Sequence, residues 1–250
     1  SLLAITTGQR NVAIGSSAGD SITTLSDSIL IGRTAGQALT TTGTGQDGTV
    51  AIGTAALTTL TTGAGNVAVG YLAATDITTG GYNTIVGYEA LTNAQVNVNN
   101  TTAIGYRAGY KLGDDGGSDH SENNTIVGFQ AMGGGHDTVA NNTANHNTAI
   151  GYNTLGGQTG TGTAITTTNC VAVGHNTLKA ISTGYSNVAI GKDTGDSVTS
   201  GIFNTLVGTG ADTSAAGAEN QIVIGYAAAG HGNNIAVIGN TSTTAWHPAD

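Results

Sequence analysis

An all-β fold, a parallel β-solenoid, is predicted by three observations: a phrase at nearly fixed period, a composition suited to short strands, and columns of apolar β-branched residues. The phrase has the form Asn/Thr-x-apolar-Ile/Val-Gly, with its first position relaxed in some copies. It occurs thirteen times, closing at Gly15, Gly32, Gly53, Gly70, Gly87, Gly105, Gly128, Gly151, Gly174, Gly191, Gly208, Gly225 and Gly239. Successive closing glycines are 17, 21, 17, 17, 18, 23, 23, 23, 17, 17, 17 and 14 residues apart. A period of this size marks a stack of equivalent units, each in contact mainly with its neighbours.

Composition agrees. Forty-one glycines, roughly as many threonines and a single proline suit many short strands joined by tight corners. Long helices draw on Ala, Leu, Glu and Lys instead. Only 8% of residues are charged and the net charge is −9, so the basic stripe that nucleic acid requires is missing. No run reaches the eighteen apolar residues of a membrane helix, and no signal-peptide pattern is present. Cys170 stands alone, which excludes an intrachain disulfide.

Aligned on its glycine, one repeat reads N-V-A-I-G-x-x-A-G/L-x-x-I-T-T-G-x-x. The residue before the glycine is Ile or Val in every copy: Ile14, Ile31, Ile52, Val69, Val86, Ile104, Val127, Ile150, Val173, Ile190, Val207, Ile224 and Ile238. One residue earlier every copy is apolar, and one earlier again it is usually β-branched, as in Val12, Ile29 and Thr148. Such side chains fit a pleated surface. Alternation along a strand sends neighbouring columns to opposite faces, so this strand is apolar on both. A lone solenoid in water would show polar residues outside, whereas a doubly buried strand reads as a continuous apolar run. Self-association is therefore expected, with the Ile/Val column serving core and chain–chain contact.

Asn at the phrase head, as in Asn66, Asn83, Asn147 and Asn204, is predicted to stack into a hydrogen-bonded ladder. Glycines are predicted to turn the corners, where positive φ is required. A second apolar column (Ile22, Leu39, Leu60, Ile77, Leu112, Ile181, Val198), followed by Thr-rich pairs, predicts a second, shorter strand. At about 4.8 Å per repeat, the rod is on the order of 60 Å long.

Phrases such as Asn147-Thr-Ala-Ile-Gly-Tyr152 and Asn83-Thr-Ile-Val-Gly-Tyr-Glu-Ala-Leu91, followed by a Thr-rich corner, resemble repeats of bacteriophage tail fibres. They are also similar to the head domains of trimeric autotransporter adhesins, whose repeats are shorter. The resemblance covers about residues 11 to 244. It implies a left-handed parallel β-roll, three copies around one axis, and the N-x-A-I-G strand turned inward. Longer repeats and tyrosines after the glycine favour the tail-fibre type. That implies a virion location, contact with other tail proteins and a host cell-surface polysaccharide or protein receptor, or a bacterial cell surface for an adhesin.

Enzyme-like motifs dissolve on alignment. Gly15-Ser-Ser17-Ala-Gly19 satisfies G-x-S-x-G, yet Ser17 is replaced by Thr34, Ala55 and Leu72 in the following repeats. Gly43-Thr-Gly45-Gln-Asp-Gly48 matches G-x-G-x-x-G without a following helix. No enzymatic activity, cofactor or metal is expected. Tyr71, Tyr88, Tyr106, Phe129, Tyr152 and Tyr226 all follow a phrase glycine. They form either a packing column between repeats or an aromatic stripe for sugar rings.

The three 23-residue repeats each carry six residues more than the 17-residue unit (23 − 17 = 6). Insertions at one point of successive repeats project as loops on one face, often the binding face. Asp114, Asp115, Asp119, His120, Glu122, His136, Asp137 and His146 lie there. They form a solvated bulge, a receptor-contact patch or an ion site; the nonapeptide calcium repeat is missing and no His pair has ligand spacing. An ice-binding solenoid would need an unbroken threonine array, and that column fails at Val96, Gly113, His136 and Gly217. The expected organisation is a partial repeat at 1–10, a solenoid at 11–244 with enlarged repeats at 105–174, and the start of a cap or downstream domain at 245–250. The chain is expected to be a piece of a longer protein.

Overall fold

The computed structural model describes residues 4–39, 47–93, 97–113, 121–133, 143–156 and 165–243. They form an all-β structure without helices. The first strands are β1 (Val12–Ile14), β2 (Ile29–Ile31), β3 (Val50–Ile52), β4 (Val67–Val69), β5 (Thr84–Val86), β6 (Val98–Asn99), β7 (Thr102–Ile104) and β8 (Ser121–Glu122). There follow β9 (Thr125–Val127), β10 (Thr148–Tyr152), β11 (Val171–His175), β12 (Val188–Ile190), β13 (Thr205–Val207), β14 (Ile222–Ile224) and β15 (Ala236–Ile238).

Thirteen of these make one parallel sheet in which each strand pairs with the next repeat's strand; β6 and β8 form a separate pair. The register follows the phrase, with Ile14 opposite Ile31 and Ala149 opposite Ala172. This is the sequential neighbour pairing of a β-solenoid.

The middle strand column points inward: Leu30, Ala51, Ile85, Ile126, Ala172 and Val223 are fully buried. The columns on either side point out, so the Ile/Val column and the strand's first column share the outer face. Val12, Ile14, Ile104, Ile190 and Ile238 there are 38–59% exposed, while others such as Ile31, Ile52 and Val69 are half-buried.

The interior is thin and filled by size matching between levels. At Gly36 a Cβ would press on Leu30 and Leu39, each 2.8 Å away, and at Gly195 it would press on Leu178 and Leu206. Elsewhere the same column carries Leu57, Leu91 or Leu178, beside a small inward strand residue in the cases of Ala51 and Ala172. Close packing of this kind makes each repeat's side-chain volume depend on its neighbours.

The second apolar column is buried as expected, from Ile22 and Leu39 to Ile181 and Val198. The second, shorter strand forms only in part: beyond this column the chain pairs at β6–β8 and at the single bridges Asn145–Thr168 and Ile202–Glu219, and elsewhere the segment is no regular strand. Three successive N–H groups converge on one carbonyl of the next repeat: Thr6, Thr7 and Gly8 donate to the Thr23 oxygen at 2.8, 3.1 and 3.3 Å. Ser182, Thr183 and Gly184 do the same to Thr199. A ladder needs alternating donors and acceptors, whereas this fork spends three donors on a single acceptor.

The amide ladder does form. The Asn66 Oδ1 accepts from the Asn83 backbone N–H at 3.1 Å and from its Nδ2 at 3.0 Å. Asn83 Nδ2 also donates to the Val98 carbonyl at 2.7 Å. The pattern recurs at Asn124–Asn147 and Asn187–Asn204, always accepting from the following repeat. Asn147 receives the Cys170 N–H at 2.9 Å and donates to the Thr167 carbonyl at 3.0 Å. Asn147→Ala strips partners from both buried groups and is expected to cost about 2–4 kcal/mol in urea denaturation. The exposed change Thr166→Ala is expected to stay within about 0.5 kcal/mol. Equal midpoints for the two variants would remove the ladder's role.

Candidate functional site

Two borders frame the outward apolar columns. The first is the residue after each phrase glycine. Beyond Gly its ring members stack in series: Tyr71 on Tyr88 (centroids 5.2 Å apart), Tyr88 on Tyr106 (5.5 Å), Tyr106 on Phe129 (4.9 Å), Phe129 on Tyr152 (5.1 Å) and Tyr152 on His175 (4.8 Å). Interplanar angles of 9–19° make this a parallel stack. Strand register causes it, because identical positions fall one above another. The inner rings spend both faces on each other and present only edges sideways. His175 was missed by residue type; its place after Gly174 was the available signal. Tyr226 stands outside the stack, 73% exposed, between repeats that carry Thr209 and Asn240 at this position.

Arg107 sits beside the stack. Its Nε meets Glu89 Oε2 at 2.6 Å, and its guanidinium lies 5.4 Å from the Tyr106 centroid and 5.0 Å from that of Tyr110. Glu89 holds the guanidinium pKa above its ordinary value, so this group is a fixed charge.

The second border lies five residues before each phrase glycine, at the turn preceding the buried Asn. His146 belongs to it, exposed and at φ +58°, with its Nε2 3.3 Å from Asn123 Nδ2. Glu122 is half-buried beside it, and its backbone N–H donates to Asn145 Oδ1 at 2.8 Å. Of the acidic and histidine residues singled out in the enlarged repeats, Asp114, Asp115, Asp119, His120, His136 and Asp137 lie outside the described residues. Gly43 and Gly45 of the glycine-rich motif lie outside them as well.

Ser17 occupies a tight corner at φ +54°. The same corner is taken at Thr34, Ala55 and Leu72, so its geometry belongs to the repeat. Cys170 fills an Asn-ladder slot, its Sγ 3.8 Å from the Gly184 carbonyl. Burial pushes its thiol pKa up, partly opposed by hydrogen bonds from Asn187 and Ser186. Its folded pKa being the higher one, the associated stability is complete below the ordinary thiol range and is lost as pH rises through the folded value. At pH 8 the native chain is expected to resist a disulfide-exchange reagent and to react once in denaturant. Rapid reaction of the folded chain would contradict that burial.

No family model, curated protein or solved structure matches the chain. Its function must be read from its own columns.

Proposed function

We propose that this chain is a non-enzymatic structural fibre protein: a left-handed β-roll of about thirteen coils, three copies of which pack in parallel around one axis. The rod forms a stiff segment of a viral tail fibre, acting as spacer and host-surface attachment element. The supporting observation is the outward face. An Ile/Val column runs outward along all thirteen strands of the sheet, beside a column of Val, Ile, Thr and one Ala. With three residues at about 3.3 Å each across and a length near 60 Å, the stripe has a projected area on the order of 600 Å². That stands at the upper end of what a single soluble chain exposes, and two further copies supply the cover such a stripe requires.

A rod of three identical chains presents every surface loop in triplicate, so weak contacts to a polysaccharide or protein receptor add up to avidity. In sequence, the six extra residues of each enlarged repeat fall in the stretch before the next phrase. The same roll suits a bacterial surface adhesin; the tyrosines after the glycine favour the fibre.

Sedimentation velocity is expected to give about three times the 24.5 kDa chain mass. A stable soluble single chain at micromolar concentration would overturn the assembly. Removing the six-residue excess from each enlarged repeat is expected to lower adsorption to the host while the trimer mass stays. Undiminished adsorption would move the attachment role elsewhere.

A further inference from the structure

The apolar stripe is only one short strand wide, so whatever copy packs on it also meets its borders. Those borders differ in chemistry. On the second border, Asp27, Tyr82, Asn100, Asn123, His146 and Asn169 all hold left-handed φ of 50–60° and are exposed. A shared backbone conformation keeps these side chains in one line along the rod. On the first border the same levels carry Arg33, Tyr88, Tyr106, Phe129, Tyr152 and His175. Asp27, whose carboxylate already accepts from Arg10 of the same chain, therefore stands level with Arg33. From Asn100 to Asn169 an amide or imidazole stands level with a ring, whereas Tyr88 has Tyr82 and Tyr71 has Gly65 at its level.

Three narrow stripes turned to a common axis meet border to border. Cyclic three-fold packing is heterologous, so the leading border of one chain always meets the trailing border of the next. The stacked rings point their hydrogen-bearing, electropositive edges sideways, and amide oxygens are acceptors suited to them. Packing each border on its own kind would set Arg33 against Arg33 and Asp27 against Asp27.

The apolar columns cannot fix axial register by themselves. They repeat Val, Ile or Thr at every level except Ala236 at the last, so a slip of one level mostly exchanges like for like. The borders do not repeat in this way. One level of slip brings Arg33 opposite Arg10 or Gly48 in place of Asp27.

We infer that the amide border of each chain packs level by level on the ring border of the next copy of this chain, and that this pairing sets the register of the parallel rod. The inference rests on the three-chain assembly proposed above.

Cysteine pairs test it, in a Cys170→Ser background; Ser28 already occupies the equivalent ladder slot. Asp27→Cys with Arg33→Cys probes the charged level, and Asn123→Cys with Phe129→Cys probes the stack. Within one chain each pair is separated by a whole extended strand, beyond the roughly 7 Å Cα limit of a disulfide. After mild oxidation, each pair is expected to place most of the protein in a covalent three-chain band, with each single variant left uncrosslinked. Dimer formation by a single variant would show a border meeting its own kind and overturn the seam. So would stronger crosslinking of the offset pair Asp27→Cys with Thr54→Cys, or no crosslinking by either same-level pair in a sample that sediments as three chains. These results leave the three-chain rod standing, whereas a single-chain mass removes it too.

Discussion

Gly105→Ala is expected to lower stability by about 3–4 kcal/mol, combining left-handed strain with overpacking. Gly105 holds φ +134°, and an added Cβ would drive into the carbonyl oxygen of Gly128 in the next repeat. The same relation links each phrase glycine from Gly15 to Gly208 with its successor, so the repeat spacing itself depends on the missing side chain. Gly48 provides the control. It also has positive φ, at +79°, but an added Cβ meets nothing within 4 Å. Gly48→Ala is therefore expected to cost only about 1 kcal/mol. Guanidinium denaturation of both variants separates strain from contact. Equal, small shifts would mean that neighbouring repeats move apart without cost. Because each repeat touches mainly its neighbours, the transition of Gly105→Ala is also expected to broaden or split.

Ile150→Lys combined with Ile190→Lys is expected to convert the proposed three-chain rod to single chains with unchanged strand content. In one chain both residues face outward, 38% and 42% exposed. There a lysine lays its stem along the surface and keeps its ammonium in water, at a cost within about 0.5 kcal/mol. Around a shared apolar axis, each unpaired ammonium costs several kcal/mol. Sedimentation together with far-ultraviolet circular dichroism reads both effects. A three-chain mass retained by the double variant would clear this face of any role in assembly.

Much of the fold is legible in the sequence because the strand columns are chemically uniform. Ile14, Ile31 and Ile52 repeat one requirement, and Asn66, Asn83 and Asn147 repeat another. The corners are less legible. Leu57, Leu91 and Leu178 adopt left-handed φ of 49–50° or slightly less, where sequence reasoning expects glycine. Each such residue costs roughly 1–2 kcal/mol locally, and the stacked levels on either side hold it there. No local motif announces that. The second strand is confined to β6 and β8 for a related reason, since a Thr-Thr-Gly segment serves a strand and an N–H fork equally well. The ring column was visible as a column, but only register revealed that its rings face one another. The opposite border was hidden because Tyr82, Asn100 and His146 share a backbone conformation and no side-chain type.

The amide ladder has a mechanical side. Every bond from one repeat to the next runs along the rod: several act side by side within a level, and successive levels act in series. Axial tension therefore loads each level as a whole, and the weakest one opens first. A released repeat of 17 residues extends to roughly 58 Å where it had occupied about 4.8 Å. A pulled rod would thus lengthen in steps of about 50 Å, one repeat at a time, and absorb work that a rigid tether would pass on to its anchorage.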